Sequence, residues 1–359
     1  MQVRERLRAI QPARSKPIER VRGRRVRRRE RLTPFLYLMP TLVLLTIFDI
    51  WPIALGFWIS LWRWGLGAER FVGMDNYQRL LEETVRVEGG SPVIGDLGQS
   101  FLVTLYYVIG VIPAALFLAF VVANMLHQKI RGLAFFRAAF FLPHVTSTVA
   151  AGMVFLWIFN PQVGVANFAL GRLGLPAQTW LQDPDPVIKK IVLAVGLGWP
   201  SSISESLAGP SLALFCVIVF SIWASIGFNI VIMLAGLAAI PREIFDAARV
   251  DGAGPWQMMR RITFPLLSPT MFFLLTISLI SAFQTFEAVY VLTGGGGFGS
   301  QAGGPLRTTT TLTLYIFDHF YQRPSSVGYA AAASFVLFFF LIGLTALQFR
   351  VGERRVFYE

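Results

Sequence analysis

Six long apolar runs constrain the fold of this chain more than any other feature of its sequence. Each is about as long as the roughly 20 residues that an α-helix needs to cross about 30 Å of hydrocarbon. Asp49 and Glu287 are the only acidic residues within the runs, and no Lys or Arg lies in them. Because a backbone in lipid must satisfy its hydrogen bonds internally, such runs predict helices. The sequence therefore predicts an all-α polytopic membrane protein with six transmembrane helices, spans one to six, at about residues 34–61, 101–126, 138–159, 211–240, 266–292 and 327–349.

The basic residues predict the orientation of these spans. Of the 32 Lys and Arg residues, thirteen lie in residues 1–33, and ten of the other nineteen lie in the loops and tail on the same side of the membrane, where the loops are shorter. The positive-inside rule therefore places both termini in the cytoplasm. We expect a basic, disordered arm over residues 1–33, a permease domain over 34–350 and a cytoplasmic tail over 351–359. The arm lacks interleaved aromatic residues, so we expect it to attract anionic membrane lipid rather than nucleic acid.

Catalysis is not expected of this chain. Its one cysteine and three scattered histidines exclude a disulfide framework and disfavour a metal centre. A phosphate-binding Walker A loop requires a lysine that follows a glycine, and none of the four lysines does. No nucleophile–base pair or carboxylate pair stands out either. We therefore expect a transport subunit that is not an enzyme and that needs no cofactor of its own.

The loop between spans four and five, residues 241–265, is the most informative loop of the sequence. Pro241 suits the start of a short helix that ends near Val250. Gly252 then permits a turn, because glycine adopts the left-handed conformation at a helix C-terminus. Pro255 begins a second short helix. Two adjacent alanines on the first helix could seat it in the groove of a partner protein, or the helix could rest on the membrane surface.

The same loop carries a resemblance to a known family. The run from Asp246 to Ala253, with Ile262 and Pro265 downstream, resembles the "EAA" loop of ABC-importer permeases, although Asp246 stands where the family usually has Glu. The resemblance implies that the loop is a coupling helix held in the cleft of an ATPase subunit. The residues implicated in this coupling loop are Glu243, Ile244, Asp246, Ala247, Ala248, Asp251, Gly252, Ala253 and Pro265.

Three further segments resemble the carbohydrate permeases of the maltose and glycerol-phosphate type. They are FVGMDNY at residues 71–77, FFRAAFFLP at 135–143 and FEAVYVLTGG at 286–295. The resemblance implies the type I ABC-importer permease fold in the inner membrane and a sugar or related polyol as cargo. It also implies three kinds of partner: a second permease in a heterodimer, two ATPase subunits and an extracytoplasmic solute-binding protein. Residues 185–209 fit the pattern poorly and are interpreted as an insertion in an outer loop.

Residues of span five are the candidates for contact with cargo. Ionisable groups inside spans are costly and are often functional, and Glu287 lies near the outer end of this span with Gln284 and Phe286 beside it. Glu287 could instead bond to a neighbouring helix or face outer water. Two other functions stay open from the residues alone: a carrier driven by an ion gradient, and a membrane scaffold without transport. The absence of an internal repeat disfavours the carrier, and the specific cytoplasmic loop disfavours the scaffold.

Overall fold

The computed structural model describes residues 25–65, 67–88, 91–128, 131–200, 208–295, 302–323 and 325–352. The chain divides into two compact units, residues 1–56 and 57–359. The α-helices are α1 Arg25–Leu45, α2 Trp51–Ser60, α3 Asp75–Thr84, α4 Asp96–His127, α5 Leu133–Val145, α6 Thr148–Ile158, α7 Val165–Arg172, α8 Val187–Ala194, α9 Leu212–Ala239, α10 Arg242–Val250, α11 Pro255–Met258, α12 Phe264–Leu266, α13 Ser268–Phe283, α14 Glu287–Tyr290, α15 Leu312–Tyr321 and α16 Val327–Gly352. The strands are β1 Trp62–Trp64, β2 Ala68–Phe71, β3 Val85–Glu88 and β4 Ser91–Ile94.

Four helices among the described residues are long and apolar enough to span a membrane without interruption. They are Pro34–Ser60, Asp96–His127, Leu212–Ala239 and Val327–Gly352, and they coincide with predicted spans one, two, four and six. Two further pairs of helices reach spanning length only when each pair is joined across a bend. The structure therefore contains four to six spans, and spans three and five are not the straight helices that the sequence predicted.

The bend in span three separates α5 from α6 by 95°. Pro143 lies in the last turn of α5 and has no N–H to donate to the helix. Thr146 and Ser147 then adopt extended backbone angles, and the Thr146 side chain donates a hydrogen bond to the Leu142 carbonyl (2.9 Å). The chain thus ends one helix and begins another within the predicted run.

The first unit is an apolar helix with a widened turn. A π-helical turn at Thr46–Ile50 precedes Pro52, which has no N–H to donate to the Phe48 carbonyl. The N–H of Trp51 donates to the Thr46 carbonyl, which is one residue further back than the acceptor in an α-helix. Apolar side chains are exposed on all sides of the helix, as expected of one that faces lipid. α1 begins at Arg25, inside the segment predicted to be disordered, because Arg and Glu are good helix formers. Residues 1–24 lie outside the described part of the chain.

Helices from four spans form most of the core of the second unit. α4 packs along α9, and α5 and α13 pack against α9 as well. Glycines allow these helices to approach closely. A Cβ added at Gly227 of α9 would lie 2.3 Å from the Phe140 carbonyl oxygen of α5, and one at Gly236 would lie 2.4 Å from the Thr270 hydroxyl of α13. The crossings of α9 with its neighbours therefore require residues without side chains.

Two antiparallel hairpins correct the expectation of an all-α fold. β1 pairs with β2 and β3 pairs with β4, both between spans one and two. The Asn76 amide at the start of α3 donates to the carbonyls of Ser60 (2.8 Å) and Trp62 (3.0 Å), which holds the first hairpin to α3. The fold is therefore predominantly helical with two small hairpins in the segment between spans one and two. The end of the second unit that carries these hairpins is here called the outer face.

Candidate functional site

The loop between α9 and α13 folds as two short helices with a tight turn between them. α10 ends at Val250, and the N–H groups of Asp251 and Ala253 donate to the carbonyls of Ala247 (3.0 Å) and Ala248 (2.9 Å). Gly252 has φ +79°, a conformation that costs other L-residues roughly 1–2 kcal/mol. The turn therefore requires glycine at this position.

One side of α10 faces outward and the other faces the protein. Glu243, Asp246 and Ala247 are exposed, and Val250 is 88% exposed. On the opposite side Ala248 is buried, and Ile244 and Phe245 are half-buried. Of the two adjacent alanines, only Ala247 therefore offers a small side chain to a partner.

The remaining loop residues lie around this helix. Arg249 forms an ion pair with Asp246 (2.7 Å), but both side chains are about two-thirds exposed, so the pair contributes little to stability. Asp251 is exposed and Ala253 is half-buried. Pro265 lies in α12, after a π-helical turn at Met259–Thr263, where the chain bends by 63° into α13.

Span five is interrupted where the sequence placed the cargo candidates. α13 ends at Phe283, and the chain resumes helical geometry only at Glu287. Gln284 and Glu287 are both exposed at this break, and Phe286 has φ −132° and ψ −60°. Non-helical backbone at membrane depth is tolerated where it is buried in protein or lines a water-filled cavity. The break thus presents an amide and a carboxylate on adjoining helix ends.

Two threonines at the start of α15 satisfy backbone carbonyls at the break. The hydroxyls of Thr311 and Thr313 donate to the carbonyls of Thr285 (3.2 Å) and Phe283 (3.3 Å). The Thr285 hydroxyl in turn donates to the phenol oxygen of Tyr107 in α4 (3.2 Å). These contacts fix the two ends of the break to α4 and to the start of α15.

Phe286 is held between two other aromatic rings. Its ring stacks on Tyr290 (centroids 5.2 Å apart, planes 24° apart) and lies 4.8 Å from the ring of Phe317. Stacking of this kind fixes the ring orientation. Gln284 and Glu287 are therefore more open to a ligand than Phe286 is.

An outer polar cluster joins α3, α15 and α16; it consists of Glu83, Tyr315, His319, Arg323 and Tyr329. Both tyrosine hydroxyls donate to Glu83 (2.6 Å each). Burial acts to raise the pKa of Glu83, but these two hydrogen bonds and nearby positive charge hold its pKa below the ordinary value. His319 donates from Nδ1 to the Tyr315 carbonyl (2.9 Å) and accepts at Nε2 from Arg323 (2.8 Å), because a carbonyl only accepts and a guanidinium only donates. Burial lowers the pKa of His319, so the neutral ring is favoured.

The residues that support the break are not among the predicted site residues. Tyr107, Thr311 and Thr313 are distant from span five in sequence, and only their hydroxyl groups distinguish them from apolar neighbours. The run of threonines at 308–311 and 313 is the one available signal, since buried hydroxyls need partners.

The chain matches the family of binding-protein-dependent transport system inner membrane components over residues 93–356, and it belongs to that family. It is accordingly a permease subunit of an ABC importer, a multi-pass inner membrane protein that transports and does not catalyse. The predicted family and function are therefore confirmed, in preference to the ion-driven carrier and the scaffold.

Relatives match nearly the whole chain. The sn-glycerol-3-phosphate transport system permease protein UgpA of Pectobacterium atrosepticum is 29% identical over 91% of this chain and 96% of its own length. The protein of the same name from Rhizobium meliloti is 30% identical over 91% of this chain and 97% of its own. Among solved structures, a bacterial ABC transporter involved in the import of the acidic polysaccharide alginate superposes with a TM-score of 0.68 at 21% identity, over 92% of this chain and 98% of that chain. A second structure shows the alginate transporter in complex with an alginate pentasaccharide-bound periplasmic protein and matches equally well. These likenesses establish the type I importer permease fold.

Proposed function

We propose that this subunit forms one half of a heterodimeric translocation pathway, with six spans and both termini in the cytoplasm. Four continuous spans and two bent helix pairs support the number six. The excess of Lys and Arg in residues 1–33 and in the loops on the same side supports the orientation. In this arrangement residues 34–350 form the permease domain, the 1–33 arm lies against anionic lipid, and the 351–359 tail is cytoplasmic.

The cargo that we propose is a sugar or a related polyol. The curated relatives are named for transport of sn-glycerol-3-phosphate, and the similar solved transporter imports an acidic polysaccharide. In this chain Gln284 and Glu287 offer hydrogen-bonding groups at the break in span five, and the half-buried ring of Phe286 lies between them in sequence. An amide and a carboxylate suit hydroxyl-rich molecules, since both bind hydroxyls by hydrogen bonds.

The 241–265 loop is the proposed connection to the ATPase. The exposed side of α10 carries the charges of Glu243 and Asp246 around the small side chain of Ala247. An exposed helix with a small residue at its centre can approach the floor of a groove closely. Ala248 and Ile244 pack against the protein on the other side of the helix. The helix is connected to α13 through the turn at Asp251, Gly252 and Ala253 and through the bend at Pro265.

Three kinds of partner complete the proposed importer. Two ATPase subunits bind from the cytoplasm, one to this chain and one to the second permease. A solute-binding protein delivers cargo to the outer face; the alginate transporter structure likewise contains an alginate pentasaccharide-bound periplasmic protein. The exposure of Ala247 on α10 is the observation that supports the coupling role, because a small exposed side chain is what a partner groove could contact closely.

Two substitutions at Ala247 test this role. Ala247→Phe adds bulk on the exposed side of α10 without entering the core, whereas Ala247→Ser keeps the side chain small. The assembled importer is purified from cells, and the ATPase subunits that co-purify and their cargo-stimulated ATP hydrolysis are measured. We expect Ala247→Phe to lose both and Ala247→Ser to keep both. Full ATPase recovery and stimulation with Ala247→Phe would refute docking through this face.

A further inference from the structure

Helix α8 on the outer face turns its two lysines toward the protein and exposes apolar side chains. Lys189 and Lys190 turn toward the protein, with 21% and 29% of their side chains exposed. Ile188, Ile191 and Val195 turn outward, with 50%, 58% and 72% of their surfaces exposed. Val195 directly follows α8 and keeps helical backbone angles, so these three residues, which recur at three- and four-residue spacing, lie on one face.

The inward lysines are neutralised by partners within the same outer loop. Lys190 forms an ion pair with Asp183, whose side chain is nearly buried, and donates a hydrogen bond to the Gln178 side chain (3.0 Å). Lys189 lies 3.5 Å from a carboxylate oxygen of Asp185. Asp183 also accepts a hydrogen bond from the Asp185 N–H (3.0 Å), which fixes its position. The outward face of α8 thus presents methyl and methylene groups without charge.

Backbone hydrogen bonds place α8 at the level where span four begins. The Leu212 N–H donates to the Asp185 carbonyl (2.9 Å), and the Val187 N–H donates to the Pro210 carbonyl (3.0 Å). Leu212 is the first residue of α9, which is a continuous span of 28 residues. The start of α8 is therefore tied to the first turn of a membrane-spanning helix.

We propose that the face of α8 formed by Ile188, Ile191 and Val195 lies in the interfacial layer of the lipid bilayer and anchors this outer loop to the membrane. In the orientation proposed above, this layer belongs to the outer leaflet. The inference rests on the proposed function only for the choice of leaflet. Interfacial helices bury an apolar face at the boundary between headgroups and acyl chains. In α8 the polar face is turned to Asp183 and Asp185 instead of to water, so the apolar face is free for lipid.

The chemistry of this face favours lipid over a protein partner. A solute-binding protein must dock and leave, and interfaces of that kind are no more apolar than ordinary protein surface, with aromatic and Arg residues enriched. The α8 face carries aliphatic side chains alone, and its two lysines are engaged elsewhere. Lipid covers such a face continuously, whereas a departing protein would return it to water.

Site-directed fluorescence in vesicles tests the proposal. Cys216 is the only cysteine of this chain and is fully buried, so a cysteine introduced at position 188 or 191 is the accessible thiol of this chain for a bimane label. The assembled importer carrying Ile188→Cys or Ile191→Cys is reconstituted into vesicles of phosphatidylethanolamine and phosphatidylglycerol. Quenching is measured with iodide in water and with lipids that carry a nitroxide near the headgroup. Glu82→Cys, at an exposed position of α3, is the matched control in water.

We expect labels at positions 188 and 191 to show blue-shifted emission and several-fold stronger quenching by the nitroxide lipids than the label at position 82. Iodide should quench the label at position 82 more strongly than the labels at positions 188 and 191. Equal iodide quenching at all three positions would overturn the proposal, because the face would then lie in water. Protection that requires added solute-binding protein would overturn it in favour of a protein partner. Protection without lipid quenching would overturn it in favour of contact with the second permease. None of these outcomes depends on ATPase coupling, so the two proposals can fail separately.

Discussion

Replacing Gly227 by alanine should separate α9 from α5 at their closest approach. The new Cβ would lie 2.3 Å from the Phe140 carbonyl oxygen and 3.0 Å from the Phe141 Cα. Both are backbone atoms, so no side-chain rotation can relieve the overlap and the helices must move apart. Overpacking of this kind costs about 1–3 kcal/mol, and a clash with backbone belongs at the upper end of that range.

Gly343→Ala is the matched control for this substitution. Gly343 also lies within a spanning helix, α16, and a Cβ there would meet no atom within 4 Å. Alanine has a helix propensity about 1 kcal/mol better than glycine, so this variant should be as stable as the wild type or more stable. The two variants should therefore differ by about 2–3 kcal/mol in the free energy of unfolding.

Cys216 provides the assay. It is fully buried in α9, the same helix as Gly227, and it is the only cysteine of the chain. A dye that fluoresces on reaction with a thiol therefore reports unfolding of this helix as the purified subunit is heated in detergent. Gly227→Ala should react several degrees below Gly343→Ala. Equal transition temperatures would show that the α5–α9 contact is not as close as the glycine geometry requires.

Three further predictions concern the outer polar cluster, the break and the turn. Folding lowers the pKa of His319 below its ordinary value of about 6.5, so the folded protein favours the neutral ring. The stability that this contributes is present above a pH of about 6.5 and is lost as the pH falls through the folded-state pKa. His319→Gln should therefore remove this part of the pH dependence of the melting temperature. Thr311→Val should leave the half-buried Thr285 carbonyl without its donor, cost about 0.5–1.5 kcal/mol and speed amide hydrogen exchange at the break; unchanged exchange would count against the hydrogen bond. Gly252→Ala should destabilise the end of α10 by roughly 1–2 kcal/mol because of its positive φ. Gly254→Ala, at a residue with φ −70° and open space around it, should perturb local hydrogen exchange far less.

Long spans and the 241–265 loop were the predictable parts of this structure. Spans two, four and six depend on uninterrupted apolar composition, which a sequence shows directly, and α4, α9 and α16 begin and end near the predicted residues. The short helices α10 and α11 were predictable too, because their proline and glycine signals act within one turn. The roles proposed for these residues in coupling stay predictions.

The interruptions of spans three and five were not predictable from local pattern. Gln284 and Thr285 are compatible with a helix, and the chain leaves helical geometry there because Thr311 and Thr313 supply alternative hydrogen bonds from a distant segment. A helix break of this kind is decided by tertiary partners, which no window of sequence contains. The two hairpins were missed for a related reason, since runs of three or four residues carry too little periodicity to outweigh the long apolar runs around them.

The break in span five also has a mechanical consequence. α13 is a rod of 16 residues, about 24 Å long, attached at one end to the 241–265 loop and ending at the other beside Gln284. Tilting such a rod by about 5° at the loop would carry its far end sideways by about 2 Å. A continuous helix would pass that displacement on to Glu287, but here Gln284 and Glu287 lie on separate helix ends. A small movement of the loop could therefore change the distance between the Gln284 amide and the Glu287 carboxylate at the far end of α13.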